Sequence, residues 1–345
     1  MAEDIKPQEY WVKRAKRRDS IFERAAKKDF RDISNAYSNE LKEMKNKLDA
    51  FYGKYGTVNG NTIVVTQNDA FQLMSRQERR SFQRKAEKIK DKIIDTKDDG
   101  FKIRLGKYIN NKKQARKNNL DLDQEYSIHK VFQKQDINYT DFLEDVLKDG
   151  YTLAQFDLIR GLNYNYQFLG EIGKRRVDII LNEPWSGKDF SSRIWANKEK
   201  LANSLREVTT RGFLQGQPLG QMAGDLADRM GVSKRQAFRL LKSETTHASE
   251  TANIRACKDA GFEKMEVVST PSDRYHFTRP DINGQVFTIG TPRETRFTPP
   301  IEYPSCNCVT VPLIGSEKIT IKSVPRKFDS FEEWKEFNNK TTSII

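Results

Sequence analysis

Cysteine, histidine and long apolar runs are all scarce in this chain, and each shortage narrows its role. Three cysteines in 345 residues make an odd number, which argues against a disulfide framework and for assembly in a reducing cytoplasm. No apolar run reaches the roughly 18 residues that a membrane-spanning helix needs. The first residues, Met1 to Trp11, lack the apolar stretch of a secretory signal. Only His129, His247 and His276 could supply an imidazole base, and none stands in a recognisable catalytic spacing. There is no glycine-rich phosphate loop, no paired-histidine zinc helix and no Ser/His/Asp order. An enzyme is therefore not expected, and neither is a cofactor.

What the chain has in quantity is charge. Charged residues make up 32% and hydrophobic ones 36%, a balance suited to long solvated helices around modest cores. The net charge of +13 is unevenly placed: residues 1–120 hold 30 Lys and Arg against 17 Asp and Glu, and the remainder is balanced at 31 against 31. Such asymmetry points to a polyanionic partner, double-stranded DNA bound without sequence preference being the commonest, although a solvated helical face gives the same composition.

Residues 8–55 read as one helix. Trp11, Ala15, Phe22, Ala26, Phe30, Ile33, Tyr37, Leu41, Met44, Leu48 and Tyr55 recur at steps of three, four or their sums, with Arg18 interrupting the stripe. Such a stripe requires burial on a partner helix or another subunit, so self-association through this helix is expected. Lys13, Arg14, Lys16, Arg17, Arg18, Lys27 and Lys28 form its basic clusters. Ser75 and Glu78 make a capping box that opens a second helix. Its apolar face is Phe82, Ala86, Ile89 and Ile93, and Arg79, Arg80, Arg84 and Lys85 stand among its cations. The two helices are expected to pair as an antiparallel hairpin, with 97–120 a basic, poorly packed linker.

Residues 121–182 read as helical again, interrupted at Gly150. Tyr164, Tyr166 and Phe168, interleaved with Arg160 and Lys174-Arg175-Arg176, suit either base stacking or helix packing. Asn182 to Gly187 breaks the helix. Beyond it come a helix from Phe190 to Phe213, a turn at Gly216, a short helix over 219–230, and a helix over 233–260 capped by Ser233 and ended by Gly261. Ala227, Gly231 and Ala237 also match helix-turn-helix spacing, with Lys234, Arg235, Gln236 and Arg239 offered to DNA. A strand over 265–270 and a hairpin signal at Asp281 to Thr288 follow. Last come Pro299-Pro300, Tyr303-Pro304-Ser305-Cys306-Asn307-Cys308 and a short strand ending in Pro312.

In order and separation these blocks resemble the phage Mu F-type minor head proteins, also called head morphogenesis proteins. The resemblance spans roughly 120 residues and rests on Trp195 at the helix start, the Gly-rich turn Gly212-Phe213-Leu214-Gln215-Gly216 with the short helix 219–230 and Gly231 after it, Glu244 in Lys242-Ser243-Glu244-Thr245, Asp273-Arg274, Asp281 and Gly284-Gln285-Val286-Phe287, and Pro304, Cys306 and Cys308. The chain departs from the family at Tyr303, where members carry His, at Asn307, where they carry Arg, and around Glu244, where they carry Arg-Thr-Glu. The start at Tyr10-Trp11-Val12-Lys13-Arg14 is also similar to that of Gram-positive phage minor capsid proteins.

The resemblance implies a low-copy structural component of a tailed-phage head. Such a protein is assembled in the bacterial cytoplasm, sits at the portal protein or the inner capsid surface, and is a candidate for ejection with the genome. Cys306, Cys308 and His276 are one step short of a zinc site, with no fourth ligand nearby, so packing of a turn is the expected role. Some family members carry a toxin domain after this region, but 37 residues beyond Cys308 are too few for one. The expected fold is mainly α: a basic helical arm (1–120), a helical connector (121–182), an α+β minor-head domain with a small antiparallel sheet (189–315), and a tail (316–345). In the tail, Phe331, Trp334 and Phe337 form the apolar face of a short helix opened by Ser330. The alternative role is a helix-turn-helix regulator, and a zinc-dependent or toxin-like enzyme is a distant third.

Overall fold

The computed structural model describes residues 6–162, 170–269, 282–301, 306, 308–315, 330–334 and 336. The fold is mainly helical with two small antiparallel sheets, as the sequence leads one to expect. Three helices exceed forty residues: α1 (Gln8–Tyr55), α5 (Arg116–Leu162) and α8 (Leu219–Asp259). Shorter ones are α2 (Gln67–Phe71), α3 (Arg76–Lys92), α4 (Asp99–Asn110), α6 (Lys174–Leu181), α7 (Phe190–Leu214) and α9 (Pro292–Phe297). No helix among the described residues is long and apolar enough to cross a membrane.

The chain divides into two compact units, each assembled from separated segments. The first comprises Met1–Asp29, Tyr139–Phe190 and Arg239–Ile345, the second Phe30–Asn138 and Ser191–Phe238. The sequence divides serially, at 120, 182 and 189, whereas the units divide within α1, α5 and α8.

In the first unit, Trp11, Ala15, Phe22 and Ala26 of α1 are buried within the chain, so this part of the stripe is covered without a second subunit. Gly161 of α5 meets Trp11: a Cβ added there would lie 2.2 Å from the indole ring. Gly150, which reads in sequence as a helix stop, lies inside the continuous α5, because an added Cβ would come within 3.2 Å of Ala252 on α8. It is a glycine of close helix approach.

The sheet of this unit has the order β4-β3-β5, with β3 (Lys264–Val268) between β4 (Val286–Thr288) and β5 (Val309–Pro312), both antiparallel to it. Gly284, at φ +78°, makes the turn into β4. The Val267 amide donates to the Gln285 carbonyl, and the Gly284 amide donates to the Val267 carbonyl. Val267 is thereby committed to the β4 side, so its facing residue Thr310 directs its own amide and carbonyl off the sheet edge. There α8 supplies the missing partners. Glu250 accepts from the Thr310 amide at 2.8 Å, and Asn253 Nδ2 donates to the Thr310 carbonyl at 2.9 Å. Two side chains of a helix thus finish a strand edge that would otherwise be open.

In the second unit, Ile33, Tyr37, Met44, Leu48, Phe51 and Tyr52 of α1 are buried. The capping box of α3 forms, with Glu78 N–H to Ser75 Oγ at 3.3 Å and Ser75 N–H to Glu78 Oε2 at 2.9 Å. Lys54 and Tyr55 at the end of α1 reach Glu78 in the first turn of α3, and α3 packs Phe82, Ala86 and Ile89 on Phe101 and Leu105 of α4 and Leu122 of α5. The linker expected at 97–120 is therefore largely α4, capped by Asp98 at 3.1 Å from the Phe101 amide. Phe101, Leu105, Tyr108 and Ile109 form the apolar face that seats it. A two-stranded ribbon, β1 (Thr57–Asn59) and β2 (Thr62–Val64), follows α1.

In the tail, 331–334 is helical, and Ser330 Oγ accepts from the Glu333 amide at 3.1 Å. Trp334 is 1% exposed, packed with Phe156, Ile159 and Phe331. Phe337 lies outside the described residues. Trp334→Ala should destabilise the first unit by about 3–5 kcal/mol, the cost of emptying an indole-sized site. A urea titration followed by circular dichroism measures it, and an unchanged midpoint would mean that the tail is not docked.

Candidate nucleic-acid interface

The expected DNA-contacting cations are sorted by the fold into internal and external ones. On α1, Lys13, Arg17, Lys27 and Lys28 are exposed and Lys16 is half-buried. Arg14 and Arg18 are not available to DNA: both pair with the buried carboxylate of Asp157 on α5. Arg18, 6% exposed, also donates from Nη2 to Asn253 Oδ1 at 2.7 Å. An arginine on the apolar stripe is buried with the stripe, and a buried charge needs an opposite one.

On α3 the sorting goes the other way. Lys85 pairs with Asp123 at 2.7 Å, and Arg79 Nη1 donates to the Lys112 carbonyl at 3.2 Å. Arg76, Arg80, Arg84, Lys88 and Lys92 remain exposed. They follow one another at intervals of four residues, a ridge that spans roughly 24 Å along the axis at 1.5 Å per residue and turns around the outer side of the helix, with the exposed carboxylates of Glu87 and Asp91 on the same side. Among the described residues, none of the five has a carboxylate oxygen within ion-pair distance, whereas Lys54, Lys85, Lys117 and Lys198 of the same unit all do. This row uses Arg80 and Arg84, which the sequence singles out. Arg76, Lys88 and Lys92 join it because the register of α3 turns them away from Phe82, Ala86 and Ile89.

The family-like residues hold structural positions. Trp195 donates from Nε1 to Asp136 at 3.4 Å. Glu244 is buried and accepts from Trp185 Nε1 at 3.0 Å, with Trp185 stacked on His247 at 4.3 Å between ring centres. Cys306 and Cys308 are fully buried, the Cys308 amide directed at Cys306 Sγ at 3.4 Å. Burial pushes the Cys257 thiol up to about 12, which leaves it unreactive. Asp273, Arg274, His276, Tyr303, Pro304 and Asn307, with Tyr164, Tyr166 and Phe168, lie outside the described residues. No cluster of His, Cys, Asp and Glu that could hold a metal occurs among the described residues.

Gly231 requires a correction. It lies inside the unbroken α8, so there is no turn at 231–233 and no separate helix beginning at Ser233. Ser233 is buried, its hydroxyl 3.1 Å from that of Tyr37, and it caps nothing. The helix-turn-helix geometry is therefore absent from this segment. Gly261, at φ +91°, ends α8 as its sequence position suggests.

Two buried ionic networks escape sequence reading. In the second unit Lys198, 0% exposed, lies 2.9 Å from Asp98, 3.1 Å from Glu125 and 3.3 Å from Glu199. The Nδ1–H of His129 donates to Asp98 at 2.8 Å, and Arg104 joins Glu125 and Glu199. In the first unit Arg14, Arg18, Asp157, Asn253 and Glu250 run from α1 to the sheet edge. Burial raises Glu250 to about 7, and burial together with neighbouring Glu23 raises Asp19 to about 6. Comparison with models of known protein families, with curated proteins and with solved structures found no match.

Both carboxyls hold their protons more tightly folded than unfolded, so their contribution to stability is complete at low pH and is lost as pH rises through 6 to 7. Glu250→Gln, which keeps an acceptor for Thr310, should gain on the order of 3 kcal/mol at pH 8 relative to its effect at pH 5. Denaturant midpoints at the two pH values read this out; parallel curves for both proteins would refute it. Lys198→Met should cost about 3–5 kcal/mol, since it strands buried carboxylates. Calorimetry should show the loss, and a stabilised variant would mean that the network is dispensable.

Proposed function

We propose that this chain is a structural minor head protein of a tailed bacteriophage, non-enzymatic, located at the portal or inner capsid surface and touching packaged double-stranded DNA without sequence preference. The phage setting is supported by the ordered sequence blocks from Trp195 to Cys308. The DNA contact is supported by one observation, the row Arg76, Arg80, Arg84, Lys88 and Lys92, five exposed cations with no ion-pair partner among the described residues. Uncompensated cations on a firmly packed helix are suited to phosphate, because neutralising phosphates releases counterions to solution. The row holds no Asn or Gln, the side chains that read adenine on a recognition helix.

This reading draws the DNA contact from the α3 part of the expected cations and leaves out Arg14 and Arg18, which pair with Asp157. Full-length protein should shift random and phage-derived duplexes equally. These five contacts alone should contribute about −4 to −5 to its log–log salt slope. The quintuple change R76E/R80E/R84E/K88E/K92E should abolish most of that shift while leaving the circular dichroism spectrum intact. Preference for one sequence, or binding that survives the five changes, would sink the DNA reading. Co-sedimentation of the protein with purified heads at a few copies per particle tests the placement separately.

A further inference from the structure

We propose that the DNA surface does not end with α3 but continues onto the loop between α4 and α5, with Arg79 as the residue that positions the two parts. This rests on the DNA-binding reading above. Between Asp99 and Asp121 the sequence has no carboxylate, and Lys112 and Lys113 lie exposed at the middle of that stretch.

The loop is held in place. Asn111 Oδ1 accepts from the Lys113 amide at 2.8 Å, and Gln114 Nε2 donates to the Tyr108 carbonyl at 3.1 Å. The residues before α3 fasten it from the other side: the Met74 amide donates to the Gln114 carbonyl at 2.8 Å, and the Arg116 amide donates to the Gln72 carbonyl at 3.0 Å. Arg79 completes the attachment through its bond to the Lys112 carbonyl. Lys112 and Lys113 are therefore carried within one arginine's reach of the first turns of α3, where Arg76 and Arg80 begin the exposed row. A guanidinium that caps a loop carbonyl also leaves the lysine side chains on that loop free to point at solvent. Seven cations on two elements form one phosphate track, and Arg79 acts through the loop without touching DNA itself.

Salt-dependent binding of the full chain to a random duplex tests this with K112Q/K113Q, R79Q and the triple combination. Loss of two contacts should flatten the log–log slope by about 1.8 and weaken binding roughly 10- to 60-fold near 0.1 M salt. R79Q should produce part of the same loss, and the triple variant should be no weaker than K112Q/K113Q. If the row variant loses binding while K112Q/K113Q keeps the full slope, the loop is not part of the surface and the proposal fails alone. An R79Q loss that adds fully to the lysine loss would overturn the positioning role, since Arg79 would then be a phosphate contact. If wild-type protein binds no duplex, this proposal and the DNA reading fall together.

Discussion

The outer edge of β5 sets the requirements for the first unit. Thr310 cannot pair on both sides, and its outward amide and carbonyl are buried, where an unmet hydrogen bond costs about 1–3 kcal/mol. Glu250 and Asn253, three residues apart on α8, meet both. Asn253 uses its second polar atom to accept from Arg18, and Arg18 is neutralised by Asp157. The chain of bonds thus runs from a strand through α8 to α1 and on to α5, each member satisfying the next. A charge on the apolar stripe of α1 is intelligible only at the end of that chain.

The same logic explains what could be read beforehand. Helical periodicity gave α1, the α3 capping box, the break after Leu181 and the strand preceding Gly284, because those features depend on local spacing and turn chemistry. Gly150 and Gly231 read as punctuation, but both lie within uninterrupted helices. Gly150 stands where α8 approaches α5, a long-range contact that sequence does not display, whereas Gly231 meets only Arg235 of its own helix and is simply carried by the packing of the residues on either side. In the 97–120 stretch the helical pattern Phe101, Leu105, Tyr108 and Ile109 is present but short, and the basic residues and asparagines around it mask it.

The buried networks did leave a trace. Lys198 falls between Ile194 and Leu201, and Arg18 between Ala15 and Phe22, each on the buried stripe of its helix. A lone charge at such a position implies a buried counter-charge elsewhere, although sequence does not name it. Asp157 and Asp98 are that counter-charge in the two units, and neither stands out in its own segment: Asp98 falls at the start of the stretch that reads as a linker.

Charge arithmetic misleads for a related reason. The basic excess of the first third of the chain counts Arg14, Arg18, Lys85, Arg104 and Lys117 as though they faced solvent, yet each is paired internally with a carboxylate. Several of those carboxylates, among them Asp157, Asp121 and Glu125, belong to the residues beyond 120 that appear neutral by count. The net excess is unchanged by such pairing, but its location is not. Once internal pairs are set aside, the second unit's unmatched cations include Lys42, Lys45 and Lys47 on α1 and Arg229 and Arg235 on α8 as well as those on α3 and the loop before α5, a different surface from the one the composition of residues 1–120 suggests. An electrostatic partner responds to that surface, because paired and buried charges contribute little beyond a Debye length of about 8–10 Å.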